Sequence, residues 1–175
     1  MKRTKEDEEF SAEIDYQLRH GDFQSVPLLD TSQGTRYQRW YARLLTTLSL
    51  TTEGQKIVYA QTDHRLGDET VRFLLVTEKV VVVVDVENLT GDQPKTTTRV
   101  IGRGALTSLA VGASMPIDQD GAASYGWPGL VEIIAEYVGL DAPVVYTSMG
   151  HQAGNSAIRG PILELLAELQ SDLSH

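Results

Sequence analysis

The chain has 175 residues, with 24 acidic against 15 basic side chains and a formal net charge of −9 at pH 7. This balance does not favour nucleic-acid or anionic-membrane binding, because both need an excess of positive charge. The sequence contains no cysteine, which excludes disulfides, thiol nucleophiles and cysteine-ligated zinc. A hydrophobic fraction of 41% is enough for a folded core. The first residues, MKRTKEDEEF, lack the apolar stretch of a secretory signal, so we expect a cytoplasmic protein.

Two amphipathic helices are predicted in the first 52 residues. Phe10, Ile14 and Leu18 recur every four residues, which predicts a short helix over about residues 8–20. The segment 35–50, TRYQRWYARLLTTLSL, carries the clearest helical pattern of the chain. Its apolar face consists of Tyr37, Trp40, Tyr41, Leu44, Leu45 and Leu48. A stripe of arginines, formed by Arg36, Arg39 and Arg43, borders this face.

The second helix supplies the candidate partner-binding residues. Tyrosine, tryptophan and arginine are enriched at the energetic centres of protein interfaces. On that ground the predicted partner-binding residues are Arg36, Tyr37, Arg39, Trp40 and Arg43. The alternative is that the aromatic face packs internally, with the arginines paired against the acidic body of the protein.

From Gln55 the apolar period changes from 3.6 to 2, which predicts β-strands. Seven strands are predicted, at residues 55–62, 71–77, 80–87, 96–101, 106–111, 130–138 and 144–148, with a helix as the alternative for 130–138. The third contains five consecutive valines, Val80 to Val84. One face of that strand stays apolar through Val86, whereas the other turns polar at Asp85 and Glu87. We therefore expect this strand to be buried along one face and covered on the other for half its length.

A C-terminal helix is predicted from the spacing of the last apolar residues, which are Ile158, Ile162, Leu165, Leu166, Leu169 and Leu173. Proline cannot lie deep inside a helix, because it lacks an N–H and its ring clashes with the preceding turn. The helix is therefore predicted to begin at Pro161, directly after Gly160, with a start near Ser156 as the alternative.

Three segments resemble bacterial pleckstrin-homology-like domains. RFLLVTEKVVVVVD (residues 72–85) is similar to their second-to-third strand hairpin, and TRVIGRGALTSLAV (98–111) to the pair that follows. PILELLAEL (161–169) lies where their capping helix would be. The resemblance implies an α+β fold, mainly antiparallel β: a PH-like seven-stranded bent sheet or open barrel capped by a C-terminal helix. The predicted organisation is an N-terminal helical extension over residues 1–52 and a PH-like domain over residues 53–175.

No catalytic or metal-binding motif is found. The loop GHQAGNSAIRG, residues 150–160, lacks the lysine and the spacing of a phosphate loop. The stretch Asp118 to Gly121 lacks the distal glutamate of a calcium loop. The four histidines show no helical metal-ligand spacing, and no G-x-S-x-G motif occurs. We expect a protein that is not an enzyme and that uses neither a cofactor nor a metal.

Two binding functions remain as hypotheses. The first is a protein–protein interaction or scaffolding module, whose partner is another protein or a second copy of the chain, and an open edge strand could pair with a peptide. The second is small-ligand or lipid-headgroup binding at the strand loops, by Lys56, His64, Arg65 and His151. Phosphoinositide-binding PH-like domains carry a dense basic motif, and here neighbouring acidic residues dilute it. We therefore expect neither a membrane nor a nucleic acid as the partner.

Overall fold

The computed structural model describes residues 4–19, 29–30, 36–52, 54–64, 69–89, 93–114, 128–148 and 159–174. The chain divides into two compact units, Met1–Val100 and Ile101–His175. The predicted end of the N-terminal extension, residue 52, lies inside the first unit.

The first unit begins with helix α1, Lys5–Arg19. This helix starts before the predicted residue 8 because Thr4 and Asp7 cap it reciprocally: the Asp7 N–H donates to Thr4 Oγ1 at 3.2 Å, and the Thr4 N–H donates to Asp7 Oδ2 at 2.8 Å. Two short strands follow, β1 (Leu29–Asp30) and β2 (Arg36–Tyr37), which pair antiparallel.

Helix α2 spans Arg39–Thr52, so it begins four residues later than the sequence pattern predicts. Its end is marked by Gly54 with a φ of 70°, a left-handed conformation that glycine adopts without strain, and the Gln55 N–H donates to the Thr52 carbonyl at 2.9 Å.

Four strands form a sheet in the order β3-β4-β5-β6, and all of it except the last two residues of β6 belongs to the first unit. Their bounds are Ile57–Asp63, Thr70–Thr77, Val80–Glu87 and Lys95–Gly102. The predicted burial of β5 is confirmed: Val81, Val82 and Val84 are completely buried, Val83 nearly so, and Glu87 is exposed. The valine run therefore belongs to an inner strand of the sheet. This strand is buried on both of its faces as far as Val84, and burial decreases at Asp85.

Helices α1 and α2 share one hydrophobic core with the β3–β5 strands. Its fully buried members include Ile14, Leu18, Tyr41, Leu44, Leu48, Phe73, Leu75, Val82 and Val84. Burying a side chain of this kind stabilises the fold by about 1.5–3 kcal/mol. One polar contact joins the helices inside the core, where the Tyr41 hydroxyl donates to Asp15 Oδ1 at 2.8 Å.

The β4–β5 hairpin turns through Glu78 and Lys79, which are not typical hairpin-turn residues. The buried Thr77 side chain compensates, because its hydroxyl accepts the Val80 N–H at 3.1 Å and donates to Gln55 Oε1 at 2.7 Å. The predicted hairpin is present.

The second unit contains a 3₁₀ turn (Arg103–Ala105), three strands and a helix. The strands β7 (Leu106–Ala113), β8 (Val131–Tyr137) and β9 (Val144–Thr147) form an antiparallel sheet in the order β7-β8-β9. The segment around residues 130–138 is therefore a strand and not a helix. At the β8–β9 turn, the Leu140 N–H donates to the Tyr137 carbonyl at 3.2 Å, and Gly139 has a φ of 95°.

Helix α3 spans Arg159–Asp172, so the predicted start at Pro161 is wrong by two residues. Proline is tolerated there because the first four N–H groups of a helix have no partner within the helix. Ile162, Leu165 and Leu169 are buried as predicted, whereas Leu173, also predicted on the apolar face, lies beyond the end of the helix and is 41% exposed.

The order of elements confirms the predicted α+β layout, with N-terminal helices, seven main strands and a C-terminal helix. Within the described ranges these strands form a four-stranded and a three-stranded antiparallel sheet instead of one continuous bent sheet. No described helix has both the length and the apolar character needed to cross a membrane.

Candidate functional site

Strand β6 is an exposed edge of the four-stranded sheet. It pairs with β5 on one side, and none of the strands that the structure describes pairs with its other side. Six of its eight residues are exposed, and Val100 keeps 45% of its surface accessible. An edge strand presents a row of backbone N–H and C=O groups that another strand can satisfy.

The other outer strands of the two larger sheets are less suited to strand addition, and β1 and β2 have only two residues each. Strand β3 packs against α1, and β7 packs against α3. Strand β9 has only four residues. In the described part of the chain, β6 is therefore the outer strand that is both long and exposed along nearly its whole length.

A row of charges of alternating sign crosses the four strands towards β6. Asp63 of β3 lies opposite Arg72 of β4, which lies opposite Asp85 of β5. Arg72 Nε donates to Asp85 Oδ1 at 2.6 Å, and Arg99 Nη2 of β6 lies 3.2 Å from Asp85 Oδ2. Directly opposed charges of opposite sign stabilise a sheet, by roughly 0.2–1 kcal/mol a pair. The row ends at the open edge with a cation.

A second, more exposed pair lies beside this row. Lys95 Nζ of β6 is 3.4 Å from Glu87 Oε2 of β5. Both side chains are more than half exposed, so the pair contributes little to stability. Its arrangement repeats that of the first row, because the carboxylate belongs to β5 and the cation belongs to the edge strand.

A pocket of about 460 Å³ opens at the polar end of this sheet. Its lining consists of Asp63, His64, Thr70, Val71, Arg72, Asp85, Val86, Glu87, Thr97 and Arg99. Three carboxylates therefore face two guanidinium groups and one imidazole. Asp85 is 22% exposed and engages both arginines, and the lining has one more carboxylate than guanidinium groups, so the pocket is not a concentrated anion-binding site.

The structure separates the predicted partner-binding residues. Trp40 is 8% exposed and belongs to the core, with its ring centroid 5.6 Å from that of Tyr41 and 6.5 Å from that of Phe73. Arg39 and Arg43 are exposed on α2.

Arg36 and Tyr37 lie in β2, before α2 begins. The predicted helical stripe of three arginines is corrected to Arg39 and Arg43, because the chain is extended at residue 36 and helical spacing does not apply there.

Of the predicted ligand-binding residues, the two that the structure describes, Lys56 and His64, are not brought together. Lys56 precedes β3 and His64 follows it, so the two lie at opposite ends of the strand, about 26 Å apart at about 3.3 Å per residue. His64 lines the pocket described above. Arg65 and His151 lie outside the described residues. Within the described ranges, no group of three or more histidine, aspartate or glutamate residues could hold a metal ion.

The second unit contains a buried charge cluster with a structural role. Arg103 is almost fully buried, and its Nη1 donates to Glu168 Oε2 at 2.5 Å while its Nε donates to Asp172 Oδ2 at 2.8 Å. Burial alone would lower the pKa of Arg103, but the hydrogen bonds and charges of Asp172 and Glu168 outweigh burial and raise it. The cluster ties the 3₁₀ turn to α3.

A pair of tyrosines lies in the same unit. The Tyr137 and Tyr146 hydroxyl oxygens are 3.0 Å apart in the interior. Burial raises the pKa of Tyr137 above its ordinary value of 10.0, and the hydrogen bond with Tyr146 offsets part of that rise. A buried phenol of this kind stays protonated at neutral pH.

Comparison with known proteins finds few similar ones. No protein-family model matches the chain, and no curated protein matches it either. Among solved structures, the chain is similar to the 2.00 Å crystal structure of a DUF1696 family protein with a pleckstrin-homology domain from Shewanella loihica PV-4. The identity is 12% and the TM-score 0.39, over 73% of this chain and 92% of the other. So distant a similarity carries no information about ligand or partner.

Proposed function

We propose that this protein is an interaction module that binds an extended segment of a partner protein as an added strand along β6. The observation that carries the proposal is the exposed outer edge of β6, eight residues long and with no strand beside it among those described. Main-chain hydrogen bonds would supply affinity in this binding mode, and side chains on alternate positions would supply specificity. In this proposal the protein is not an enzyme, and no cofactor or nucleic acid takes part.

The exposed surface of α2 is a weaker candidate for the partner site. Its aromatic residues lie in the core, where Trp40 and Tyr41 contact Phe73. Arg39 and Arg43 remain exposed, but the residues that dominate an interface typically lie in well-packed, desolvated pockets.

Headgroup binding at the pocket is also less well supported. An anionic headgroup needs cations that it can engage without competition, but Asp85 already contacts both Arg72 and Arg99. Two further carboxylates, those of Asp63 and Glu87, line the same pocket. An added phosphate would meet more negative than positive charge there.

The test uses three synthetic peptides as probes, each matching the eight residues of β6 in length. All three alternate threonine and valine and carry the same glycine-serine tail for solubility. One is neutral, one has two threonines replaced by glutamate, and one has them replaced by lysine. We expect at least one peptide to bind the full-length protein in a fluorescence-anisotropy titration.

Backbone methylation supplies the matched control. In a strand added to an edge, only alternate N–H groups of the peptide point towards the protein. Methylating that set should abolish binding, whereas methylating the other set should leave it nearly unchanged. Failure of all three peptides to bind, or equal tolerance of both methylation patterns, would contradict strand addition.

A further inference from the structure

We infer that the strand which β6 accepts is acidic, with two carboxylates on one face and four residues apart. This inference rests on the strand addition proposed above and defines the chemistry of the partner. It follows from the positions of Lys95 and Arg99, which are the two basic side chains of β6.

The two cations share one face of the sheet. Residues four apart on a strand point the same way, and both side chains reach carboxylates of β5, at Glu87 and Asp85. Proceeding outwards, the charges along the first row run Asp63, Arg72, Asp85, Arg99. A strand added beyond β6 continues this alternation only if it places negative charge next to the two cations.

The exposed fractions show that both cations can still reach a partner. The Arg99 side chain is 47% exposed and the Lys95 side chain is 73% exposed, although each has a carboxylate on its inner side. A guanidinium group has five N–H donors, so Arg99 can engage Asp85 and a second carboxylate together. On the opposite face of β6 the exposed Val100 side chain favours an apolar residue in the partner.

A second copy of this chain does not fit this edge. Pairing β6 with β6 antiparallel about Thr97 would place Lys95 of each copy opposite Arg99 of the other. Like charges directly opposite each other destabilise a sheet, and charged residues on edge strands are a known protection against such pairing. The charges that oppose self-association through β6 are the same charges that would select an acidic partner.

The test ranks the three peptides against the wild-type protein. We expect the acidic peptide to bind tightest and the lysine peptide weakest. Two partly exposed ion pairs imply a preference of the acidic over the neutral peptide of about 2- to 30-fold, and this preference should shrink as salt is added, because salt screens exposed charges.

Two controls separate site-specific recognition from general attraction between charges. A peptide of identical composition, with its two glutamates on adjacent positions and hence on opposite faces, keeps only one glutamate towards the cations and should lose about half of the free-energy preference. The double variant Lys95→Gln/Arg99→Gln should bind acidic and neutral peptides equally, whereas the matched variant Arg39→Gln/Arg43→Gln on α2 should keep the preference. These outcomes support the inference.

Other outcomes overturn it in distinguishable ways. If all peptides bind equally but remain sensitive to backbone methylation, strand addition stands and the acidic preference is wrong. Should the peptide with adjacent glutamates bind as well as the acidic one, the attraction between the charges is non-specific and the inference also fails. If no peptide binds, the proposed function fails together with the inference.

Discussion

Removing the Arg103 side chain should destabilise the second unit strongly. Arg103 donates hydrogen bonds to Glu168 and Asp172, and its own side chain is only 8% exposed. Replacing it by methionine keeps an unbranched chain for packing but leaves two carboxylates one helical turn apart without a cation. Losing one hydrogen bond to a charged group costs about 1.5–3 kcal/mol, and breaking a fully buried pair costs about 3–5 kcal/mol.

We expect the cost of Arg103→Met to lie between these limits, at about 2–4 kcal/mol, because Glu168 is partly exposed and water can solvate it. The free energy of unfolding is measured by urea denaturation followed by circular dichroism. If α3 opens locally, that cost predicts a loss of amide protection in this helix of roughly 30- to 700-fold.

Three variants make this prediction specific. Arg103→Lys keeps the charge but lacks the planar guanidinium group whose two nitrogens each donate to one carboxylate. Its free energy of unfolding should therefore lie between those of the wild type and Arg103→Met. Adding Glu168→Gln and Asp172→Asn to Arg103→Met should recover part of the loss, since no uncompensated carboxylate is left. Arg99→Met, at a half-exposed arginine, should cost less than about 1 kcal/mol. A stability of Arg103→Met within about 0.5 kcal/mol of wild type would refute the structural role of the cluster.

Further predictions concern the buried aromatic residues. Burial raises the pKa of Tyr137, so its phenol ionises at a lower pH in the unfolded chain than in the folded protein. The stability that Tyr137 contributes below pH 10.0 is therefore lost as the pH rises through the folded-state pKa. Tyr137→Phe should therefore flatten the fall in unfolding free energy above pH 10.0 in urea titrations, and an unchanged slope would argue against this burial. Phe73→Ala should cost about 3–5 kcal/mol by the same assay, whereas the exposed Arg39→Ala should stay within about 0.5 kcal/mol; similar costs would place Phe73 outside the core. Trp40→Phe should cost less than about 1.5 kcal/mol, because the indole Nε1 has no hydrogen-bond partner among the described residues, and a larger loss of stability would point to a contact at this nitrogen.

The strands were predictable because their signal is local. A period of two with β-branched residues marks each strand, and the valine run predicted both the position of β5 and the loss of burial at Asp85. The apolar faces of α1 and α3 follow equally directly from residue spacing, as Ile14 and Leu18 show.

Helix starts were less predictable because they depend on capping. The reciprocal cap between Thr4 and Asp7 allows α1 to begin at Lys5, in a segment whose charged residues show no apolar periodicity. At α2, the aromatic and arginine pattern continues through residues 36 and 37, although the chain is extended there. Side-chain periodicity alone could not show that the helix begins at Arg39.

Peptide pairing with an open edge strand was predicted as a binding mode, but the strand was not, because which strand lies at the edge is a property of topology. In the sequence, Asp85 and Glu87 mark only the polar end of one strand face, and Arg99 carries no predicted role. One signal was present: Lys95 and Arg99 share a strand face, and they follow a strand whose polar face ends in two carboxylates. Opposite charges on consecutive strands indicate a charged row, but only the strand order shows that it ends at an open edge.

Hydrogen exchange of the full-length protein with and without the acidic peptide tests strand addition most directly. Strand addition predicts that exchange slows at alternate amides of β6, those whose N–H groups point away from β5, and stays unchanged in β7 and β9. Slowing confined to β7 or β9, or no slowing in β6 at peptide saturation, would contradict it.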